Sequence, residues 1–146
     1  MIATNARRVS SNTDPEINAW IWQQTECRMR HVASRGPLAI QQRLRELDEE
    51  WDIERYVETL APTFTLLGMT LGFARDRRWF LLPFVVQGFF LQHALQGWCP
   101  PVPVLRRLGV RTMQEIERER CGLQHHLATL GDEATCLDEA LAGAAY

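Results

Sequence analysis

Two long stretches of this chain carry no formal charge, and they constrain its fold more than any other feature. Thr59 to Ala74 gives sixteen such residues and Trp79 to Leu105 gives twenty-seven, with only the tetrapeptide RDRR between them. A helix of roughly 17 to 25 apolar residues crosses a bilayer core about 30 Å thick. The segments Tyr56 to Ala74 and Trp79 to Trp98 have about that length, which predicts a transmembrane helical hairpin.

The average composition hides this pattern. With 23% charged and 46% hydrophobic residues the chain resembles a soluble protein, but almost all the charges lie outside residues 59–105. The formal net charge of −2 argues against a nucleic-acid partner. We therefore expect the lipid bilayer to be the first partner of this chain and no nucleic acid to be one.

Amphipathic helices are predicted on both sides of the hairpin. Thr13, Pro15 and Glu16 provide a helix start, and a second helix begins at Pro37 and carries an apolar stripe of Ile40, Leu44, Leu47 and Trp51. The absence of Gly or Pro before the first uncharged run favours a second helix that continues directly into the membrane.

After the hairpin, Thr112 and Glu115 form a capping box that opens another helix, with Ile116, Leu123, Leu127 and Leu130 on its apolar stripe and Gly131 past its end. The predicted protein is all-α: a transmembrane two-helix hairpin with amphipathic flanking helices. Its segments are a flexible N-terminus (1–12), two amphipathic helices (13–55), the hairpin (56–105), a C-terminal amphipathic helix (106–131) and an acidic, Ala-rich tail (132–146).

The first span contains the sequence GMTLG, in which Gly68 and Gly72 are four residues apart. Two glycines at this spacing leave a flat groove on an apolar helix, where another helix can approach closely. The groove packs either against the second span of the same hairpin or against a second copy of the chain. The second interpretation predicts a homodimer through Gly68 and Gly72.

Polar residues interrupt the second span near its end. Gln92, His93 and Gln96 share one helical face, and Trp98 follows two residues later. Such a face lies either at headgroup depth, where Trp gathers, or against another helix that satisfies its hydrogen bonds. The three prolines after Cys99 end the span.

Cys99 is the one thiol whose position suggests chemistry, since it follows Trp98 at the predicted membrane interface. A reactive cysteine needs a nearby cation, helix N-terminus or metal, and we place Cys99 at a helix C-terminus, so a structural role is favoured over a redox or persulfide-carrying one. Cys121, His125, His126 and Cys136 fit no familiar zinc spacing. We predict no catalytic residue, no metal site and no cofactor.

The residues from Arg55 through Gly109 resemble the transmembrane domain of the YgaP-like inner-membrane family. The resemblance rests on GMTLG, on the Trp79 that opens the second span, on GWCP and on RRLGV. It implies a two-helix hairpin that occurs alone or attached to a rhodanese sulfurtransferase domain. No residues around Cys27, Cys121 or Cys136 resemble a rhodanese loop, so sulfur transfer does not carry over.

The resemblance implies a bacterial inner-membrane location with both termini in the cytoplasm. The arginines flanking the hairpin and those in RDRR nearly balance, so charge alone does not orient it. Three functions are open: a non-enzymatic structural or partner-binding membrane module whose protein partner is unknown, a thiol or sulfur-handling membrane protein using Cys99, and a soluble helical bundle.

Overall fold

The computed structural model describes the backbone of residues 7–143 and the side chains of residues 7–131. Every regular element in that part of the chain is helical, so the predicted all-α class is confirmed. Predictions for residues 1–6 and 144–146, and for the side chains of 132–143 including Cys136, lie outside the described residues. The helices are α1 (Arg8–Ser11), α2 (Pro15–Ser34), α3 (Pro37–Glu49), α4 (Ile53–Ala74), α5 (Leu81–Gln96), α6 (Pro101–Arg107) and α7 (Met113–Gly143), with a 3₁₀ turn at Arg77–Phe80.

The chain forms two compact units. The hairpin unit comprises Met1–Ile21 and Trp51–Gln114, and the three-helix unit comprises Trp22–Glu50 and Glu115–Tyr146. Helices α4 and α5 pack directly against each other, and the 3₁₀ turn that connects them contacts both. Together they make the body of the hairpin unit. The predicted helical hairpin is therefore present in the fold.

The core of the hairpin unit lies at the end of the hairpin opposite its RDRR turn. Its buried members come from four elements that are distant in sequence, and partly buried Phe90, Leu105 and Val110 pack against them. The buried residues are Val9, Ile53, Val57, Cys99 and Val102. The segment predicted to be flexible to residue 12 thus contributes a helical turn, α1, because Val9 enters this core.

The second flanking helix does not continue into the hairpin as predicted. Helix α3 ends at Glu49, and Asp52 caps a new helix, with its side chain accepting a hydrogen bond from the Arg55 backbone N–H at 2.9 Å. Aspartate at this position satisfies a backbone donor that a helix start leaves unpaired. A helix boundary can therefore arise without Gly or Pro, and Asp52 is the signal for it.

The three-helix unit follows the predicted stripes except at Trp51, which lies beyond the end of α3 and is 39% exposed. Ile40 and Leu47 of α3 and Ile116 and Leu123 of α7 are buried together with Val32, and Leu44, Leu127 and Leu130 pack against them. The last helix, however, does not stop before Gly131 but continues to Gly143. A glycine inside a helix costs only about 1 kcal/mol relative to alanine, and the Ala-rich segment that follows favours helix.

One helical segment among the described residues is long and apolar enough to cross a membrane. It lies within Pro37–Ala74, and only 22% of its most apolar window is buried. Helix α4 forms the apolar part of that segment. Helix α5 has 16 residues, which gives a length of about 24 Å at 1.5 Å per residue. A second span is therefore not confirmed.

Candidate thiol site in the hairpin unit

Gly68 and Gly72 are buried inside the hairpin. A Cβ atom at Gly68 would lie 2.4 Å from Cδ of Pro83, and one at Gly72 would lie 2.8 Å from the ring of Phe80. These distances leave no room for a side chain, so the glycines are what permits α4 and α5 to approach. The groove is occupied as the intramolecular interpretation expects, and a homodimer through it stays a prediction.

The predicted polar face near the end of α5 does not act as one surface. Gln96 is exposed and Gln92 and Trp98 are partly buried, whereas His93 is only 3% exposed. Gly97 follows with a positive φ of 75°, and its N–H donates to the His93 carbonyl at 2.7 Å. This left-handed turn ends α5 and turns the chain back.

His93 has a charged partner on α4. Its Nε2 atom lies 2.8 Å from Oε2 of Glu54, and the Oε1 atom of Glu54 lies 3.6 Å from the Arg8 guanidinium. Arg8 also donates a hydrogen bond to the Ala94 carbonyl at 2.8 Å. The Glu54 carboxylate thus holds the buried His93 imidazole between α4 and α5. Arg8 of α1 adds a positive charge next to this carboxylate.

Glu54 lies just outside the predicted spans, and its surroundings favour the ionised carboxylate. The hydrogen bond from His93 lowers the pKa of Glu54 below its ordinary value of 4.5, and the charges of His93 and Arg8 act in the same direction. Together they outweigh desolvation, which raises the pKa. The ionised Glu54 carboxylate accepts a hydrogen bond from the N–H group at Nε2 of His93. The Nδ1 atom of the same ring is then available to another group.

Cys99 lies beside this imidazole. The Nδ1 atom of His93 is buried and has no hydrogen-bond partner among the described residues, and the Cys99 thiol is close enough to the ring for an electrostatic interaction. Cys99 itself is 2% exposed. A thiol, an imidazole and the carboxylate that holds the imidazole are therefore neighbours, without a hydrogen bond between the thiol and Nδ1.

Helix α5 ends at Gln96, before the prolines, and a short helix follows a few residues later. Pro101 starts α6, and the Val102 N–H donates to the Cys99 carbonyl at 3.0 Å. Proline suits the first turn of a helix because its missing N–H would be unpaired there. Cys99 thus lies between the end of α5 and the start of α6, not at a helix C-terminus as the sequence suggested.

An apolar cavity of about 340 Å³ has Cys99 on its wall. It lies between α4, α5 and the start of α6, and this size is within the range of about 300 to 1,000 Å³ that small-molecule pockets have. Almost all of its wall is carbon. The lining residues are Val57, Leu60, Ala61, Phe64, Val86, Phe89, Phe90, Cys99, Pro100 and Pro101.

Sequence reasoning found Cys99 and His93 separately but missed Glu54 and Arg8. In the sequence Glu54 is one of several acids that precede the hairpin, and Arg8 lies in the segment predicted to be flexible. The signal in the sequence that could have indicated a partner for His93 is the acid in the first turn of α4, which lies at the same end of the hairpin as His93. No sequence spacing connects residues 39 positions apart.

The two other cysteines with described side chains lie outside this group. Cys27 and Cys121 are exposed and unpaired, and His125 and His126 are exposed as well. Within the residues whose side chains are described, no three His, Cys, Asp or Glu side chains converge as metal ligands. Among the described side chains, the Cys99, His93 and Glu54 group is therefore the one to consider for chemistry.

No protein-family model, curated protein or solved structure matches the chain. The resemblance to the YgaP-like hairpin therefore rests on the sequence motifs alone.

Proposed function

We propose that α4 and α5 form a membrane-embedded hairpin and that the protein is a small integral membrane module, structural or partner-binding in role. The outward side chains of both helices carry the proposal. Leu66, Phe73, Leu81 and Phe84 are each between 66% and 79% exposed. Soluble monomers rarely expose contiguous apolar patches above a few hundred Å², and lipid is the solvent that suits these side chains.

The low burial of α4 supports lipid over a soluble bundle. A core helix of a soluble protein would have most of its apolar window buried, whereas here 22% is buried. The length also fits, because Tyr56 to Ala74 spans about 28 Å as a helix. Helix α5 reaches about 28 Å when Trp79 and Phe80 of the preceding 3₁₀ turn are added at about 2.0 Å per residue.

The proposed location is a bacterial inner membrane with both termini in the cytoplasm, as the YgaP-like resemblance implies. Translocating the two charged flanks would be the harder route. The RDRR turn would then lie on the periplasmic side. A cysteine introduced at exposed Arg77 should react with an impermeant maleimide on intact spheroplasts. Labelling of this cysteine only after lysis would indicate the opposite topology.

Fractionation tests the membrane proposal directly. The protein should sediment with membranes from detergent-free lysate and resist extraction with alkaline carbonate. Phe84→Arg should reduce the sedimenting fraction, because an arginine in a span costs free energy, up to about 2.5 to 3.5 kcal/mol at the centre of the bilayer. Leu38→Arg is the matched control, since Leu38 is 81% exposed in the three-helix unit. Wild-type protein in the supernatant would end the proposal.

Self-association is the partner interaction that the sequence suggests. A homodimer through Gly68 and Gly72 requires the hairpin to open, because Pro83 and Phe80 contact these glycines. Replacing both glycines with Leu should weaken association in a membrane reporter. An unchanged signal would assign the glycines to intramolecular packing alone.

A second candidate function is thiol chemistry at Cys99, which the adjoining His93 and Glu54 favour. A thiol with a positioned base reacts faster near neutral pH than an isolated one. Exposed Cys27 and Cys121 provide internal references. If alkylation of Cys99 accelerated only above about pH 8, as an unperturbed thiol does, this candidate would be rejected.

A further inference from the structure

The apolar cavity of the hairpin unit runs parallel to the two helices of the hairpin. On α4 its lining residues lie between Val57 and Phe64, a distance of about 10 Å along the helix, and on α5 they lie between Val86 and Phe90. Pro100 and Pro101, at the start of α6, line the end that is opposite the RDRR turn. The cavity therefore extends into the hairpin in the direction that a lipid chain has in a bilayer.

Helix α6 continues the apolar surface beyond the cavity. Pro101 lines the cavity, Val104 is 58% exposed, and Leu108, just past the end of the helix, is 73% exposed. Residues three and four positions apart lie on the same side of a helix. The side of α6 that begins at the cavity is thus apolar along its whole length.

A second, more open depression of about 230 Å³ lies at the end of α6. The residues that line it are Glu16, Ile17, Trp20 and Arg107. Arg106 holds the start of α2 against α6, because its guanidinium donates a hydrogen bond to Oδ1 of Asn18 at 2.6 Å. Glu16 and Arg107 carry opposite charges, and neither forms an ion pair with another side chain in the described part of the chain. A ligand that carries both a negative and a positive group can complement both.

We propose that the hairpin unit binds a phospholipid with a zwitterionic headgroup. Its acyl chain occupies the cavity, its phosphate contacts Arg107 and its ammonium group contacts Glu16. The inference rests on the proposed membrane location and names the class of lipid that binds there. Pro101 and Arg107 are about 9 Å apart along α6, which leaves room for the glycerol between the headgroup and the chain.

The chemistry of the two depressions favours this occupant. A cavity lined by carbon offers water no hydrogen-bond partner and stays dry, and in a membrane the apolar molecules that can fill it are acyl chains. At the other end, the fork of an arginine matches the oxygens of a phosphate. The exposed Trp20 ring attracts cations, and Glu16 repels a headgroup that is only anionic.

Lipid titration of the purified full-length protein in detergent, read by native mass spectrometry, tests the proposal. Dioleoyl-phosphatidylethanolamine should bind more tightly than dioleoyl-phosphatidylglycerol, which has the same chains and phosphate but no ammonium group. The expected difference is about fivefold, which is the effect of one charge near a lipid headgroup. Equal affinity for the two lipids would overturn the assignment of the headgroup.

Charge variants locate the headgroup. Arg107→Gln should weaken binding of both lipids by about fivefold, whereas Glu16→Gln should bring their affinities together. Arg45→Gln and Glu49→Gln are the matched controls, because both residues are exposed in the three-helix unit, and they should change neither affinity. Circular dichroism verifies that each variant is folded. Unchanged binding by folded Arg107→Gln would overturn the proposal.

Chain length tests the role of the cavity. Leu60→Trp fills space at its wall and should weaken binding of the dioleoyl lipid while leaving that of dihexanoyl-phosphatidylethanolamine unchanged. Leu66→Trp is the matched control on the same helix, since Leu66 is exposed and does not line the cavity. Equal effects of the two variants would show that the cavity does not hold the chain.

Two further outcomes separate this inference from its alternatives. Glycerophosphoethanolamine has the same headgroup without chains and should not compete with the lipid at equal concentration. Complete displacement would assign the site to a water-soluble phosphate ester and overturn the lipid proposal. A protein that sediments with membranes and binds neither lipid would overturn this inference and leave the proposed membrane function standing, whereas a protein that stays in the supernatant would overturn both.

Discussion

The two units of this molecule use the same helical periodicity in opposite ways. In the hairpin, the small residues Ala61, Gly68 and Gly72 are buried and large side chains such as Phe73 and Phe84 are exposed. In the three-helix unit, Ile40, Leu47 and their neighbours are buried, and charged side chains cover the outside. The first unit has its large apolar surface outward and the second has it inward.

This difference in which side chains are buried indicates which force stabilises each unit. In water, burying apolar area drives helices together, and the three-helix unit follows that rule. Between helices in lipid there is no such gain, so close contact of small residues takes over. The hairpin has its small residues buried, and in the membrane proposed for it this second effect would hold α4 and α5 together. Its stability should therefore depend on backbone proximity, whereas that of the three-helix unit depends on apolar burial and on a buried ion pair.

Breaking the buried ion pair of the three-helix unit should have the largest effect. Glu119 has a side chain with 0% exposure and accepts hydrogen bonds from Nε and Nη2 of Arg43 at 2.8 and 3.3 Å. Arg43→Met removes these bonds while keeping much of the volume. Losing one partner of a buried pair costs about 3 to 5 kcal/mol. Urea denaturation with hydrogen exchange read at residues 37–49 and 115–131 measures the loss.

Two controls decide whether the buried charge causes that loss. The double variant Arg43→Met with Glu119→Leu should recover most of the stability, because an apolar replacement of both partners is often neutral or better. Arg30→Ala breaks an exposed pair with Glu26 and should change the unfolding free energy by less than about 0.5 kcal/mol. A double variant no more stable than Arg43→Met alone would assign the loss to packing.

Gly68→Ala should produce the next largest effect, and it should act on the hairpin alone. The new Cβ would meet Cδ of Pro83 at 2.4 Å, so α4 and α5 must separate or Pro83 must shift. Inserting a methyl group into close packing costs about 1 to 3 kcal/mol. Unfolding by sodium dodecyl sulfate in mixed micelles, followed by circular dichroism, measures it.

Gly88→Ala is the matched control for that prediction. Gly88 lies in the middle of α5, and no atom lies within 4 Å of its added Cβ. The substitution should leave the hairpin as stable as before, or more stable by up to about 1 kcal/mol through helix propensity. Equal losses at Gly68 and Gly88 would mean that hairpin stability does not depend on close approach of the two helices.

The two units also differ in how far their sequences predict them. The apolar stripes of α3 and α7 identify the core of the three-helix unit, since amphipathic periodicity reports burial directly. The uncharged runs locate the hairpin in the sequence. The spacing of apolar and polar residues along α5, however, does not identify which face of this helix is buried. His93 and Gln96 share a helical face in sequence and differ in burial because Glu54, 39 residues away from His93, lies opposite only one of them.

The start of α4 offers a smaller and sharper comparison. Asp52→Ala should cost about 1 kcal/mol, because it leaves the Arg55 N–H without its cap. Asp52→Asn should retain most of the stability, since asparagine caps helices about as well as aspartate. Hydrogen exchange of the first turn of α4 measures both. Equal loss in the two variants would mean that the charge of Asp52 matters and its cap does not.

The smallest effect is expected at Glu54, where the hairpin unit, like the three-helix unit, pairs charges between helices. Glu54 has a pKa lowered by His93, against desolvation, so its ionised form favours the folded state. Its contribution is fully present above the ordinary value of 4.5 and is lost as the pH falls through the lower folded value. The side chain is 32% exposed, so solvent screens part of the interaction. Wild type should melt above Glu54→Gln at neutral pH, and the two midpoints should converge in acid. A difference that persists at low pH would assign the role of Glu54 to its shape, and its charge would then not stabilise the hairpin unit as the buried ion pair stabilises the three-helix unit.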